Sequence, residues 1–199
     1  MSSIFIKIFG KLLFLYNKRF NIYILKRNRT DFGTFDINGR IYVRNNGLLR
    51  IGNNFSANSG LNKNPIGGDT TLRLITQFPE SILILGNNIG ISNSTIYCWQ
   101  KIVIGNNVII GGSVKIWDTN FHSTDPVIRT SNHDTDIRSA PIHIADNVFI
   151  GAGSIILKGV SIGENSVIAA GSVVVKSIPA DVIAGGNPCK VIRSLKKTE

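Results

Sequence analysis

From Ile144 onward the chain divides into sixes: IADNVF, IGAGSI, ILKGVS, IGENSV, IAAGSV and VVKSIP. The first position is Ile or Val in all six sextets, and the second is Gly or Ala in four. A repeat of fixed period sets the architecture before local propensity does, because each unit buries its apolar face only against its neighbours. Each sextet predicts a short strand plus a turn, with the first-position aliphatic pointing inward. The fifth position (Val148, Ser154, Val160, Ser166, Ser172, Ile178) also faces the interior, where space is tight. The same register appears upstream in IGNNVI and IGGSVK, in LGNNIG from Leu85, and near IGNNFS from Ile51. An amphipathic helix needs a period of 3.6, and a two-sheet sandwich needs wider spacing with polar alternation. Neither fits. The pattern predicts an all-β rod, a parallel β-helix in which each sextet forms one side.

The rhythm stops at Trp117-Asp118 and resumes at Ile144, so an excursion loop is expected at about residues 118–141. A rod of stacked coils does not require so long a loop, which marks it as functional. His122 lies at its start and His133 deeper inside; His143 falls in the resumed repeat and is expected to point outward. The repeat is also poor between Ala57 and Ser81, where GLNKNPIGGDT, from Gly60, is a second candidate loop.

The first 30 residues form a separate basic helical segment, followed by the rod over 31–190 and a basic tail over 191–199. Seven of the 22 Lys and Arg, but none of the 12 Asp and Glu, lie within residues 1–30. Lys7, Lys11 and Lys18 share one helical stripe and leave a broad apolar remainder. The longest unbroken apolar run, Leu12 to Tyr16, is far short of the roughly 20 residues that span a bilayer. No small-residue cleavage site follows, which argues against a signal peptide. Two readings stand: a helix packed on the rod or a sister subunit, and an interfacial helix on an anionic membrane surface. The expected location is the cytoplasm, with loose contact at the inner membrane face.

Composition narrows the classes further. Charged residues are only 17% of the chain, too few for a disordered one. The rod lacks basic residues interleaved with stacking aromatics, so nucleic acid is not an expected partner. Two cysteines, Cys98 and Cys189, make no disulfide framework.

The segments APIHIADNVFIGAGSIILKGVSIGENSVIAAGSVV (140–174) and GSVVVKSIPADVIAGGNPCKVIRSL (171–195) resemble the hexapeptide-repeat acyltransferases, in their sugar O-acetyltransferase branch. The resemblance covers roughly residues 40–193 and is most specific in the last third. It implies a left-handed β-helix of three sextets per coil, a handedness that spacing alone does not reveal and that opposes the usual crossover rule. It further implies a homotrimer, acetyl-CoA as acyl donor, no metal requirement, and a sugar hydroxyl as acceptor, in a bacterial surface polysaccharide or its precursor.

Acetyl transfer to a hydroxyl needs a base, stabilisation of a developing oxyanion and a cradle for the donor. The resemblance places the base at His122, just after the last strand of its coil. Asp118, four residues earlier, is a candidate to hold the imidazole tautomer, and is equally readable as a turn-former. Asn93 matches an acceptor-contacting asparagine, and Trp117 offers a stacking face; Trp99 and Trp117 are also plausible packing groups. Ala152, Gly153, Ala170 and Gly171 match the small residues along which the donor arm lies between subunits. Lys176, Lys190 and Arg193 are placed to meet its phosphates. Three rivals remain at this stage. One is N-acetylation of an amino sugar or serine-type acceptor. Another is a zinc-dependent carbonic-anhydrase-like protein using the three histidines, and the last is a non-catalytic β-helix scaffold.

Overall fold

The computed structural model describes residues 3–67 and 70–195, with side chains in the first helix from Ile8 onward. The expected roles of Lys7 and of the last four tail residues lie outside that range. After helix α1 (Ser3–Arg27), twenty strands wind into a three-sided rod. The coils run β1 (Asp31–Phe32), β2 (Phe35–Gly39), β3 (Tyr42–Asn45); β4 (Leu48–Ile51), β5 (Phe55–Ser59), β6 (Arg73–Thr76); and β7 (Ile82–Leu85), β8 (Gly90–Ser92), β9 (Thr95–Cys98). They continue with β10 (Lys101–Ile104), β11 (Ile109–Gly112), β12 (Lys115–Trp117); β13 (Ile142–Ile144), β14 (Phe149–Ile150), β15 (Ile155–Ile156); and β16 (Ser161–Ile162), β17 (Val167–Ile168), β18 (Val173–Val174). Every third strand pairs in parallel, giving a first sheet from β1 to β16, a second from β2 to β17 and a third from β3 to β18. This is the left-handed parallel β-helix that the resemblance implied.

Both inward positions of the sextet are filled as the repeat requires. The first-position residues Ile144, Ile150, Ile156, Ile162, Ile168 and Val174 are buried, and so are the fifth-position residues from Val148 to Ile178. Each fully buried aliphatic contributes roughly 1.5–3 kcal/mol over an exposed one, and the stacked rows make one continuous core. The buried serines fit because their hydroxyls are bonded: Ser154 and Ser166 donate to Ala169 O and Pro179 O of the next coil, and Ser172 donates to Ala169 O and accepts from the Gly186 N–H.

The corner between the first and second sheets carries a side-chain ladder. Asn54 donates to Asn88, Asn88 to Asn107, Asn107 to Asn147, Asn147 to Asn165, and Asn165 to Asp181, at 2.8–3.0 Å. All six sit at positive φ, between 56° and 60°, the left-handed region that Asn and Asp tolerate best among residues with a side chain. One residue type thus supplies the turn and the coil-to-coil hydrogen bond.

Helix α1 closes one end of the rod. Asn21 is fully buried, donating to the Gly39 carbonyl and accepting from the Ile41 N–H, and Leu25 joins the core beside it. At the other end the residues expected to begin the tail are ordered instead. After β19 (Val182–Gly185), strand β20 (Lys190–Ser194) folds back antiparallel on it, with Lys190 opposite Gly185. β19 continues the second sheet beyond β17, so its free edge pairs with the chain that follows rather than releasing it to solvent.

Candidate active site

Two departures from the rod are decisive, and they leave from different corners. The longer one spans the 24 residues between Trp117 at the end of β12 and Ile142 at the start of β13, at the corner of the third and first sheets. Its base is zipped by an antiparallel bridge between Thr119 and Ser139, and by main-chain bonds from Asn120 to Arg138 and from Ala140 to Asp118. A short helix, α2 (Pro126–Thr130), turns the loop back on itself. Asp125 caps it, accepting from Val127 and Ile128, and Pro126 sits where its missing N–H costs nothing.

That return brings Asp134 to His122. Its Oδ2 lies 2.9 Å from His122 Nδ1, and its Oδ1 accepts the Ser123 N–H at 2.9 Å. The Ser123 N–H, and then His122, hold the Asp134 carboxyl below the usual carboxylate range. The carboxylate therefore fixes the ring at Nδ1 while the imidazole itself stays largely exposed. Phe121, immediately before, has φ +64°, a costly conformation for a bulky residue. It turns His122 outward and lays its own ring against Tyr97 and Trp117, with centroids 5.1 and 6.1 Å away. The expected Trp117 thus joins Tyr97 and Phe121 in an aromatic cluster that ends at the residue before His122. Trp99 packs edge-on against Phe78 instead.

Asp118 is not the partner of His122. It is completely buried, and its two oxygens accept the N–H groups of Trp99, Gln100 and Lys101 at 2.6–2.7 Å. A carboxylate four residues before the histidine folds inward to satisfy the preceding turn, so both its oxygens are committed. Asn93 is corrected as well: it is buried, at φ +42°, and its amide bonds the N–H and carbonyl of Gly60. It ties Gly60, where the second loop begins, and its carbonyl accepts from the Thr70 hydroxyl. His133 is exposed on the excursion and His143 points outward from β13. Among the described residues no group of His, Cys, Asp and Glu is placed to hold a metal ion.

Ala152, Gly153, Ala170 and Gly171 lie at the corner between the second and third sheets. There the main chain of successive coils stacks closely: Gly153 N–H bonds Gly112 O, and Gly171 N–H bonds Ala152 O, both at 2.8 Å. A Cβ at Gly111 would fall 2.6 Å from the Ala152 nitrogen, and one at Gly151 would collide with that of Ala170. The result is a strip of small, outward-facing residues running along the rod. It continues at Gly185 and Gly186 and ends near β20, where Lys190 and Arg193 are exposed; Lys176 is exposed after β18. A groove of 520 Å³ between Asn64 and Ile66 of the second loop and the outer face of the second sheet borders the strip at Gly112 and Ala152. His122 is not on it, because the excursion leaves from another corner.

Asp134 was out of reach of sequence spacing, lying 12 residues from His122 within a loop. The Asp-Pro at 125–126, a helix-start signal, is the one local sign that the loop doubles back.

The family described as the hexapeptide repeat of succinyl-transferase matches residues 141–176. A galactoside O-acetyltransferase of Lactococcus lactis subsp. lactis is 41% identical over 107 residues, which are 54% of this chain and 50% of that protein. A hexapeptide-repeat acetyltransferase of Vibrio cholerae O1 biovar eltor, solved with acetyl coenzyme A, is 36% identical with a TM-score of 0.55, over 61% of this chain and 64% of the other. A maltose O-acetyltransferase from Clostridium difficile 630 is 26% identical with a TM-score of 0.59, over 98% and 90%. The matches span between 44% and 59% of the length of the first curated relatives. In its sextets, its three-sheet coil and these likenesses, the chain is similar, over part of its length, to the hexapeptide-repeat acyltransferases.

Proposed function

We propose that this chain is an acetyl-CoA-dependent O-acetyltransferase acting on a saccharide hydroxyl, in a surface polysaccharide or a precursor of one. The observation that carries the reading is the His122–Asp134 pair, an exposed imidazole held by a carboxylate at Nδ1. Related proteins named as galactoside and maltose O-acetyltransferases support the acceptor class, and the acetyl-CoA complex of the Vibrio relative supports the donor.

In this reading His122 Nε2 takes the proton of the acceptor hydroxyl as its oxygen attacks the thioester carbonyl. The C–S bond then breaks, and the same imidazole returns the proton to the departing sulfur, so acceptor ester and free CoA are the products. Asp134 keeps Nδ1 protonated and stabilises the transient imidazolium. The strip at Ala152, Gly153, Ala170 and Gly171 suits a long donor arm because no side chain stands between ligand and main chain. Lys176, Lys190 and Arg193 suit its phosphates. Strip and base occupy different corners of one rod, so a complete site needs the strip of one copy beside the excursion of another. Three copies in a ring satisfy this at every interface, with three equivalent sites.

The test is CoA release and acceptor acetylation by purified protein against a panel of saccharides, nucleotide-sugars and polysaccharides. Wild type acetylates a sugar hydroxyl, and His122→Ala lowers kcat roughly 10²–10⁴-fold with the fold intact. Turnover only with amino-group acceptors, or an undiminished His122→Ala, would sink the reading.

A further inference from the structure

The two halves of α1 have different surroundings. From Asn17 the helix is seated on the rod: Asn17 bonds Arg40, Asn21 bonds the main chain of Gly39 and Ile41, and Leu25 is in the core. Before Asn17 the described side chains are exposed, the Tyr16 ring alone lying under the Arg40 guanidinium at 4.7 Å. Ile8, Phe9 and every residue from Leu12 to Tyr16 are exposed, Phe9 by 67% and Leu12 by 61%. Five consecutive apolar residues at about 100° per step cover the whole circumference of a helix. A helix that packs against one neighbour, or against two in a small bundle, buries a stripe and keeps a polar face. Between Ile8 and Tyr16 only Gly10 and Lys11 interrupt the apolar surface.

The charge is arranged in sequence with that apolar tip. The turn after it carries Lys18 and Arg19, and the last turn carries Lys26 and Arg27, with Arg29 just beyond; all five are exposed. No acidic residue precedes Asp31, and Asp31 itself is paired with Arg50 at 2.8 Å. The chain thus presents an apolar end, then a collar of one sign, then the rod. From Ser3 to Tyr16 the helix is about 21 Å long, less than the roughly 30 Å hydrocarbon core of a bilayer. Consistently, no described helix is long and apolar enough to cross a membrane.

We propose that α1 is a membrane peg: its first half enters one leaflet of an anionic bilayer and its basic collar rests on the headgroups, with the rod held outside. Hydrocarbon is the one surrounding that covers an all-round apolar helix without a matching partner surface, and acidic headgroups complement the collar. The proposal is independent of the acyl-transfer reading, because it concerns the opposite end of the rod from β20 and none of the site residues.

The experiment is flotation of the full chain with vesicles of phosphatidylcholine alone and of phosphatidylcholine mixed with phosphatidylglycerol, at low and high salt. Full-length protein is expected to float with the anionic vesicles and to be partly released by salt. The double variant Lys18→Gln/Arg19→Gln, which removes two exposed charges, is expected to bind on the order of 25-fold more weakly. Leu12→Glu/Leu15→Glu is expected to stay in the soluble fraction at any lipid composition, with its unfolding midpoint unchanged. Equal flotation on neutral and anionic vesicles would overturn the proposal, as would no flotation. So would salt-stable association of the protein with itself that Leu12→Glu/Leu15→Glu dissolves while vesicle binding persists.

Discussion

Asp134 and His122, 12 residues apart, meet at 2.9 Å because the loop between them doubles back through α2 and closes on its own base. The carboxylate is shared between the imidazole and the Ser123 N–H, so one group positions both the ring and the main chain that carries it. Asp134→Asn keeps the shape but weakens the hold on Nδ1–H. Its kcat is expected to fall on the order of 10- to 10³-fold, with KM changing less. An unchanged kcat would show that the pairing does not serve the reaction.

The same pair has a definite acid response. The Ser123 N–H, and then His122, lower the Asp134 pKa in the folded protein, so its contribution is present above the unfolded carboxylate pKa. It is lost only as pH falls through the lowered folded value. Carbon-13 NMR of the Asp134 carboxyl is expected to titrate below the usual carboxylate range, and to move upward in His122→Ala. A midpoint at or above the ordinary value in wild type would contradict the geometry.

Asp118 separates stability from chemistry. Its buried carboxylate satisfies three main-chain N–H groups, so Asp118→Ala leaves three donors unpaired in the interior and costs about 3 kcal/mol or more. Thermal unfolding is expected to show a large drop in midpoint. At a temperature where the variant is still folded, its kcat should lie much closer to wild type than that of Asp134→Asn. The reverse ranking would restore Asp118 to the catalytic role.

The asparagine ladder makes a stability prediction that needs no ligand. Asn107, at φ +56°, bonds the side chains of both neighbouring rungs. Asn107→Gly loses the bonds but keeps the backbone freedom. Asn107→Ala loses both and is expected to be about 1 kcal/mol less stable than the glycine variant. Equal urea midpoints for the two would mean that the left-handed corner imposes no strain.

Both cysteines are buried in the folded rod. Burial, and then the Asp118 carboxylate, push the Cys98 thiol far up, and burial raises Cys189 as well. Both thiols are expected to react with a disulfide reagent only after denaturation, with full activity retained until then. Rapid native labelling of Cys98 would contradict its burial.

The rod was legible where its sextets are uninterrupted, because a first-position aliphatic every six residues leaves no other period to fit. It was illegible between Ala57 and Ser81, where the chain leaves the rod after β5 and returns only at β6. His122 was visible because it follows a strand at a break. Its partner was not, since Asp118 is nearer in sequence and only the folded loop reveals that it turns inward. The end of the chain misled as well: β20 reads as a basic tail because its residues are exposed, yet its main chain is paired to β19.

Placing strip and histidine on different corners of one rod leads to the most direct measurement. His122→Ala and Gly171→Trp each disable one half of every site, and each alone is expected to be inactive. In the proposed trimer, co-expression in equal amounts is expected to give mixed rings in which one interface joins an intact histidine to an intact strip. Random assembly then restores about one quarter of the wild-type specific activity, from the symmetry of a three-membered ring. Acetylation that stays at the level of the separate variants, in trimers shown to be mixed, would contradict a site shared between subunits.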